Sequence, residues 1–123
     1  MTNSRTSSIK LGQKKSLLLK EISELFLRAA MDDSRLQGLF INRVELSKDK
    51  GHCTVYFYSV KGKEDFELKL DALKLYKPSL RKALAQKIKG RYVPDLVFAY
   101  DEQLEKQLKV ETLLEKLKRE GQL

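Results

Sequence analysis

The stretch LFINRVELSKDKGHCTVYFYSV, residues 39–60, decides the fold class because it predicts two β-strands joined by a short turn. Both of its ends are rich in β-branched and aromatic residues, which pack well on a pleated surface. Between them lie the polar residues 47–51, a loop of hairpin length that ends in Gly51 and so includes a residue that tolerates positive φ. The stretch therefore predicts an antiparallel hairpin.

Helices are predicted on both sides of this hairpin. Before it, residues 13–31 carry apolar side chains at helical spacing, and the turn-forming residues 32–34 end the pattern. After Gly62 the helical spacing returns, and Pro78 interrupts it because proline has no N–H and restricts the residue before it. A further helix is predicted to begin at Pro78 and to end at Gly90.

The rest of the chain completes a single α+β unit. Residues 93–100 predict a third strand, and residues 102–119 predict a charged helix with leucines on its apolar positions. At 123 residues the chain suits one domain with its own core and is too short for a second. We divide it into a flexible basic N-terminus at 1–12, an α+β domain with a three-stranded sheet at 13–101, and a C-terminal charged helix at 102–123.

The positive charge is concentrated in two segments. The net charge is +8; residues 72–92 contain seven Lys or Arg and no acid, and residues 1–20 contain five and no acid. Such a distribution produces a directional field that attracts polyanions, so we predict binding to a phosphate backbone. We expect Arg81 and Lys82 to face solvent. The predicted contact residues are Lys74, Lys77, Ser79, Arg81, Lys82, Lys87, Lys89, Arg91, Lys14 and Lys15.

The aromatic and strand residues favour structural roles. Aromatic side chains on a half-buried strand more often belong to the core than to a base-stacking platform, and we favour the core for Tyr56, Phe57, Tyr58 and Tyr76. Tyr92, beside Arg91, is the best candidate for stacking on a base. Arg43 and Glu45 lie on one face of the first strand, where we expect exposed charge pairing across the hairpin.

The residues required for catalysis or for metal binding are scarce. The chain contains one cysteine, Cys53, one histidine, His52, and no phosphate-binding loop, glycine-rich nucleotide turn or serine elbow. We therefore expect no enzyme activity, no cofactor, no metal and no small-molecule substrate. No apolar run approaches the ~18 residues of a membrane span, and the N-terminus lacks a signal-peptide core, so a cytoplasmic protein is expected.

Several motifs together resemble the bacterial ribosome-binding factor A family over residues 14–105. The motifs are DSRL at 33–36, RVELSKD at 43–49, TVY at 54–56, Leu80-Arg81 with Leu84, and RYVPDLVF at 91–98 followed by Asp101. The resemblance implies a single KH-like domain of type II, with the order α-β-β-α-α-β and an added C-terminal helix.

The sequence departs from RNA-binding KH domains at the loop between two helices. Those domains usually carry a GxxG loop there, but no two of the six glycines in this chain have that spacing. The resembled family has an Ala-x-Gly kink instead, which aligns with Tyr76-Lys77-Pro78. Because a proline bends a helix as a glycine does, we expect a helix break at these three residues.

The resemblance also implies a function. It predicts a monomeric factor that binds 16S rRNA in the free 30S small ribosomal subunit and assists late maturation and 16S rRNA processing, with a particular need in the cold. Two alternatives remain open. One is a protein-interaction module that docks a partner helix on the leucine stripe of residues 104–117. The other is a DNA-binding protein of the nucleoid type.

Overall fold

A three-stranded sheet with helices on one face forms the scaffold. The computed structural model describes residues 4–88 and 93–121, with side chains described from Gly12 onward. The elements are α1 Ser4–Asp32, a 3-10 turn Ser34–Leu36, β1 Leu39–Leu46, β2 His52–Ser59, α2 Lys63–Leu75, α3 Lys77–Lys87, β3 Asp95–Tyr100 and α4 Glu102–Arg119. The predicted α+β class and the order α-β-β-α-α-β followed by a terminal helix are confirmed.

The predicted hairpin is confirmed. β1 and β2 pair antiparallel, with Val44 opposite Val55 and a bulge between Ile41 and Arg43. In the turn, the Asp49 carboxylate accepts hydrogen bonds from the Ser47 hydroxyl at 2.6 Å and from the Gly51 N–H at 2.9 Å. Lys50, and not Gly51, takes the positive φ, at 61°. The side-chain bonds of Asp49 therefore shape the turn.

The third strand joins the hairpin in parallel. β3 pairs with β2, with Leu96 opposite Cys53 and Phe98 opposite Val55, so the strand order is β1-β2-β3. A parallel pair needs a long crossover connection, which α2 and α3 provide. The central strand β2 is therefore bonded on both edges.

The core lies between this sheet and helices α1, α2 and α3. Along β2, buried and half-buried residues alternate, and the Phe57 ring lies 5.2 Å from Phe26 of α1, 5.9 Å from Phe66 of α2 and 5.6 Å from Phe98 of β3, between ring centroids. Phe57 is buried, as expected for a core residue, and Tyr56 is half-buried. One aromatic ring thus touches two helices and the neighbouring strand.

The helix boundaries differ from the predictions at two places. α1 begins at Ser4, so residues 4–12 are helical where a flexible segment was predicted. α3 begins at Lys77, one residue before the predicted start at Pro78, which occupies the first turn where its missing N–H costs no hydrogen bond. The predicted C-cap at Gly90 lies outside the described residues.

The buried carboxylate of Asp101 links strand β1 to the start of α4. Its side chain is 0% exposed and accepts hydrogen bonds from Asn42 at 2.8 Å, Arg43 Nε at 2.9 Å and the Leu104 N–H at 3.1 Å. The last bond caps the N-terminus of α4. The expectation that Arg43 simply pairs across the hairpin was therefore wrong. Arg43 bonds Asp101 and, along its own strand, Glu45, and it stacks on Tyr56, with the guanidinium carbon 3.8 Å from the ring centroid.

The environment of Asp101 favours its charged form. Burial by itself would raise the pKa of the Asp101 carboxyl, but the hydrogen bonds from Arg43, Asn42 and the Leu104 N–H outweigh that effect and hold the pKa below its ordinary value of 3.8. A carboxylate with a lowered pKa in the folded state stabilises the fold above its ordinary pKa. This contribution is lost as the pH falls through the lower, folded-state pKa.

We expect Asp101→Asn to lower the free energy of unfolding by about 2 kcal/mol at pH 7, because Arg43 loses its charged acceptor and the cap of α4 is weakened. The difference from the unaltered protein should shrink as the pH falls below about 4. Urea unfolding at pH 7 and at pH 3 measures both effects. The control is Glu102→Gln, which removes an exposed ion pair with Lys63 and should destabilise the fold much less, because solvent screens the pair. Equal losses in the two variants would contradict this role of Asp101.

Candidate nucleic-acid interface

The predicted helix break is present and is held by a side chain from another part of the chain. α2 ends at Leu75 and α3 begins at Lys77, with Tyr76 between them. The Tyr76 hydroxyl donates to the Asp33 carboxylate at 2.6 Å, and Arg35 donates to the same carboxylate at 2.7 Å through Nη2. Asp33 follows α1, so this bond fixes the break against the end of the first helix.

The charges at this junction reinforce the bond. Hydrogen bonds from the Arg35 side chain, and next from the Tyr76 hydroxyl, hold the pKa of Asp33 well below its usual range. The pKa of Tyr76 is raised, because its hydroxyl donates to the Asp33 carboxylate. Tyr76 is therefore engaged in structure, in agreement with the prediction that disfavoured base stacking.

Four of the predicted contact residues lie on the surface around this break. They are Lys74 of α2 and Ser79, Lys82 and Lys87 of α3, and all four are exposed. The apolar residues of α3, Leu80 and Leu84, are buried against the core. Helical spacing therefore leaves the lysines of α3 in solvent, where their ammonium groups can approach phosphate.

Two predicted contact residues are less available than the sequence suggested. Lys77 is half-buried, and its Nζ lies 3.9 Å from Asp95 Oδ1. Arg81 is also half-buried, and its Nη2 donates to the Val93 carbonyl at 3.4 Å. The expectation that Arg81 faces solvent beside Lys82 was therefore wrong, because the helix turns Arg81 toward the start of β3. The basic segment has no acid in sequence, but the fold brings Asp95 to it.

The other predicted residues divide between α1 and the part of the chain that is not described. Lys14 and Lys15 lie on α1 and are half-buried, and Lys15 pairs with Glu45 of β1 at 3.0 Å. Lys89 and Arg91 lie outside the described residues, as does the stacking candidate Tyr92. Within the described range, the basic surface thus rests on Lys74, Lys82 and Lys87.

Two further exposed lysines, which sequence reasoning missed, lie in a turn that contacts the start of β3. Lys48 and Lys50 are exposed in the turn between β1 and β2. That turn is tied to β3, since the Asp95 N–H donates to the Gly51 carbonyl at 2.9 Å, and Asp95 in turn approaches Lys77. Both lysines are visible in the sequence, but Asp49 lies between them, so the segment is not free of acidic residues and was not predicted as basic. The carboxylate of Asp49 is occupied within the turn by Ser47 and Gly51, and these hydrogen bonds lower its pKa.

The described residues offer little for other chemistry. Among residues 4–88 and 93–121, no three His, Cys, Asp or Glu side chains lie together as metal ligands require. Burial raises the pKa of Cys53 to about 11, which makes its thiol a poor nucleophile. In the same part of the chain, no helix is both long enough and apolar enough to span a bilayer. The arrangement suits binding of a polyanion by exposed ammonium groups on a rigid framework.

Comparison with known proteins identifies the family. A family model for ribosome-binding factor A matches residues 10–114. The ribosome-binding factor A of Neisseria meningitidis serogroup A is 34% identical over 103 residues, which cover 84% of this chain and 82% of that protein. The protein of the same name from Xylella fastidiosa is 34% identical over 92 residues, which cover 75% of this chain and 73% of that protein.

Solved structures agree with the sequence comparisons. The crystal structure of ribosome-binding factor A from Thermus thermophilus matches with a TM-score of 0.62 and 29% identity, covering 73% of this chain and 93% of that one. A homology model of the Thermus thermophilus factor, fitted into a cryo-EM map of a 30S complex, matches with a TM-score of 0.57 and 30% identity, covering 70% of this chain and 89% of that one. These likenesses confirm the KH-like fold expected from the sequence. The chain belongs to the ribosome-binding factor A family.

Proposed function

We propose that this chain binds 16S rRNA in the free 30S small ribosomal subunit and assists the late maturation of that subunit, including 16S rRNA processing. The factor acts by binding and not by catalysis, as a cytoplasmic monomer. Membership of the ribosome-binding factor A family supports this proposal, as does the relative from Thermus thermophilus that is described in a 30S complex.

The observation that carries the proposal is the set of exposed lysines on a rigid break between two helices. Lys74 precedes the break, and Lys82 and Lys87 follow it. The hydrogen bond from the Tyr76 hydroxyl to Asp33 fixes the orientation of the two helices relative to each other. Ammonium groups held in one arrangement match a folded RNA better than they match a flexible strand, because double-helical RNA is recognised mainly by its shape and its phosphates.

The second basic segment of the sequence lies partly on α1. The N-terminal part of α1 contains Lys14 and Lys15, which are half-buried and lie at the side of β1 near Glu45. If Lys14 and Lys15 contact RNA as well as the lysines of α2 and α3, the two contacts together raise avidity for an RNA fold that reaches both. This arrangement supports a factor that holds or checks a junction between RNA segments.

We expect the protein to sediment with purified free 30S subunits and not with large subunits or joined ribosomes. Binding should weaken steeply as the salt concentration rises, because each phosphate contact releases condensed counterions. Cells without the protein should accumulate incompletely processed 16S rRNA in the cold. Equal sedimentation with both subunits, or binding that survives molar salt, would favour a protein-interaction module instead. If duplex DNA competes for the protein as effectively as free 30S subunits do, a nucleoid-type DNA-binding protein would be favoured instead.

The exposed lysines of α3 permit a sharper test. We expect Lys82→Glu combined with Lys87→Glu to weaken 30S binding by at least about a hundredfold and to reduce the salt slope by about one or more per lost contact. Both side chains are exposed, so thermal unfolding should change little. Arg81 is left unaltered because its contact with Val93 would confound binding with folding.

The matched control for this pair is Lys109→Glu combined with Lys116→Glu on α4. Both of these lysines are exposed, and the variant has the same net charge as the α3 variant. If affinity depends on the α3 surface, the α4 variant should lose far less binding at equal ionic strength. An equal loss would show that only the total charge matters, and the assignment of the surface would fail.

The geometry of the break should also matter. We expect Pro78→Ala combined with Tyr76→Phe to let α2 and α3 join more readily, since the N–H returns and the bond to Asp33 is removed. Helical circular dichroism should rise, and 30S affinity should fall about tenfold, which corresponds to about 1.4 kcal/mol. Asp32→Asn is the control near the same junction. Unchanged affinity in a folded double variant would show that the break only connects α2 and α3 and does not contribute to binding.

A further inference from the structure

The turn between β1 and β2 presents two lysines that the framework of the domain does not use. Lys48 and Lys50 are both exposed. Among the residues that the structure describes, neither of them pairs with a carboxylate, whereas Lys15 and Lys63 do. Both ammonium groups are therefore available to another molecule.

The backbone conformation at Lys50 singles this lysine out. Its φ is 61°, and within the described part of the chain it is the one residue other than glycine with a positive φ. Glycine or asparagine adopts this left-handed conformation more readily than lysine does. A residue kept in a conformation that its side chain disfavours indicates a function for that side chain.

Hydrogen bonds within the turn fix the backbone that carries both lysines. The Lys50 N–H donates to the Ser47 carbonyl at 2.9 Å, and the Ser47 N–H donates to the His52 carbonyl at 2.9 Å. Asp49 lies between the two lysines, so two positive charges and one negative give +1 in all, but its carboxylate is bonded to Ser47 and Gly51. The turn therefore acts at short range, through its ammonium groups, and not through a strong long-range field.

The turn and the start of α3 both contact one residue of β3. The Asp95 N–H donates to the Gly51 carbonyl at 2.9 Å, and Asp95 Oδ1 lies 3.9 Å from Lys77 Nζ. Lys77 is the first residue of α3. Because every nucleotide carries a phosphate, an RNA strand bound at α3 offers further phosphates to the turn.

We propose that this turn is a further RNA contact, in which the ammonium groups of Lys48 and Lys50 bind phosphates of the same 16S rRNA that α2 and α3 bind. The inference rests on the proposed function and extends it to a segment outside the acid-free parts of the sequence. Lysine suits this role because its ammonium group binds phosphate as a point charge. Contacts from two elements, both to the backbone, fix the position of the protein on a folded RNA without reading its sequence.

Removing the two charges tests the contact. We expect Lys48→Gln combined with Lys50→Asn to weaken binding to purified free 30S subunits at least about fivefold and to lower the salt slope by about one to two, because up to two phosphate contacts are lost. Asparagine tolerates positive φ, so thermal unfolding should not shift downward. The control is Lys61→Gln combined with Lys109→Gln, which removes the same charge from two exposed lysines, just after β2 and on α4. Equal losses of affinity in the two variants would overturn the proposal.

The α3 variant separates a failure of this inference from a failure of the proposed function. If the unaltered chain binds free 30S subunits and Lys82→Glu with Lys87→Glu weakens that binding, a turn variant that binds like its control removes the turn contact alone. If the unaltered chain does not bind free 30S subunits, the proposed function and the turn contact are both wrong.

Chemical probing from single cysteines tests where the turn lies on the RNA. Cys53 is buried, and burial raises its pKa to about 11, so thiol reagents should modify only an introduced cysteine. An iron chelate attached to Lys48→Cys, which keeps Lys50, should cleave 16S rRNA close to the nucleotides cleaved from Lys82→Cys. The chelate on Lys61→Cys should leave those nucleotides intact. Cleavage from position 82 without any from position 48 would exclude an RNA contact at the turn.

Discussion

The central strand β2 imposes the constraint on which the rest of the structure depends. It pairs with a strand on each edge, and its inner residues Cys53, Val55 and Phe57 are buried, so helices must cover that face. Phe57 contacts aromatic rings from α1, α2 and β3 and so fixes the position of those elements together. Removing its ring would leave a cavity that no single neighbour fills. The basic surface can be rigid because the helices that carry it pack on this strand.

Two carboxylates extend that rigidity to the ends of the elements. Asp101 connects the bulged strand β1 with the end of β3 and the start of α4. Asp33 connects the end of α1 with the break between α2 and α3. Each carboxylate has a lowered pKa because donors surround it, so each remains charged at neutral pH. These two carboxylates thus stabilise the fold, whereas the exposed lysines remain at the surface.

α4 differs from the other helices in its relation to the core. It is capped by Asp101 and held by Lys63 and Glu102 at its first turn, and its second half projects its apolar residues into solvent.

The sequence alone determined the elements, because periodicity, β-branched runs and turn residues act over short distances. The hairpin, the break at Tyr76-Lys77-Pro78 and α4 follow from such local signals, and motifs in the strands indicated the family. Only the tertiary structure decided which basic residues are free. Arg81 turns inward to Val93, Lys77 approaches Asp95, and the turn that carries Lys48 and Lys50 bonds to Asp95, since residues distant in sequence become neighbours only when the sheet forms.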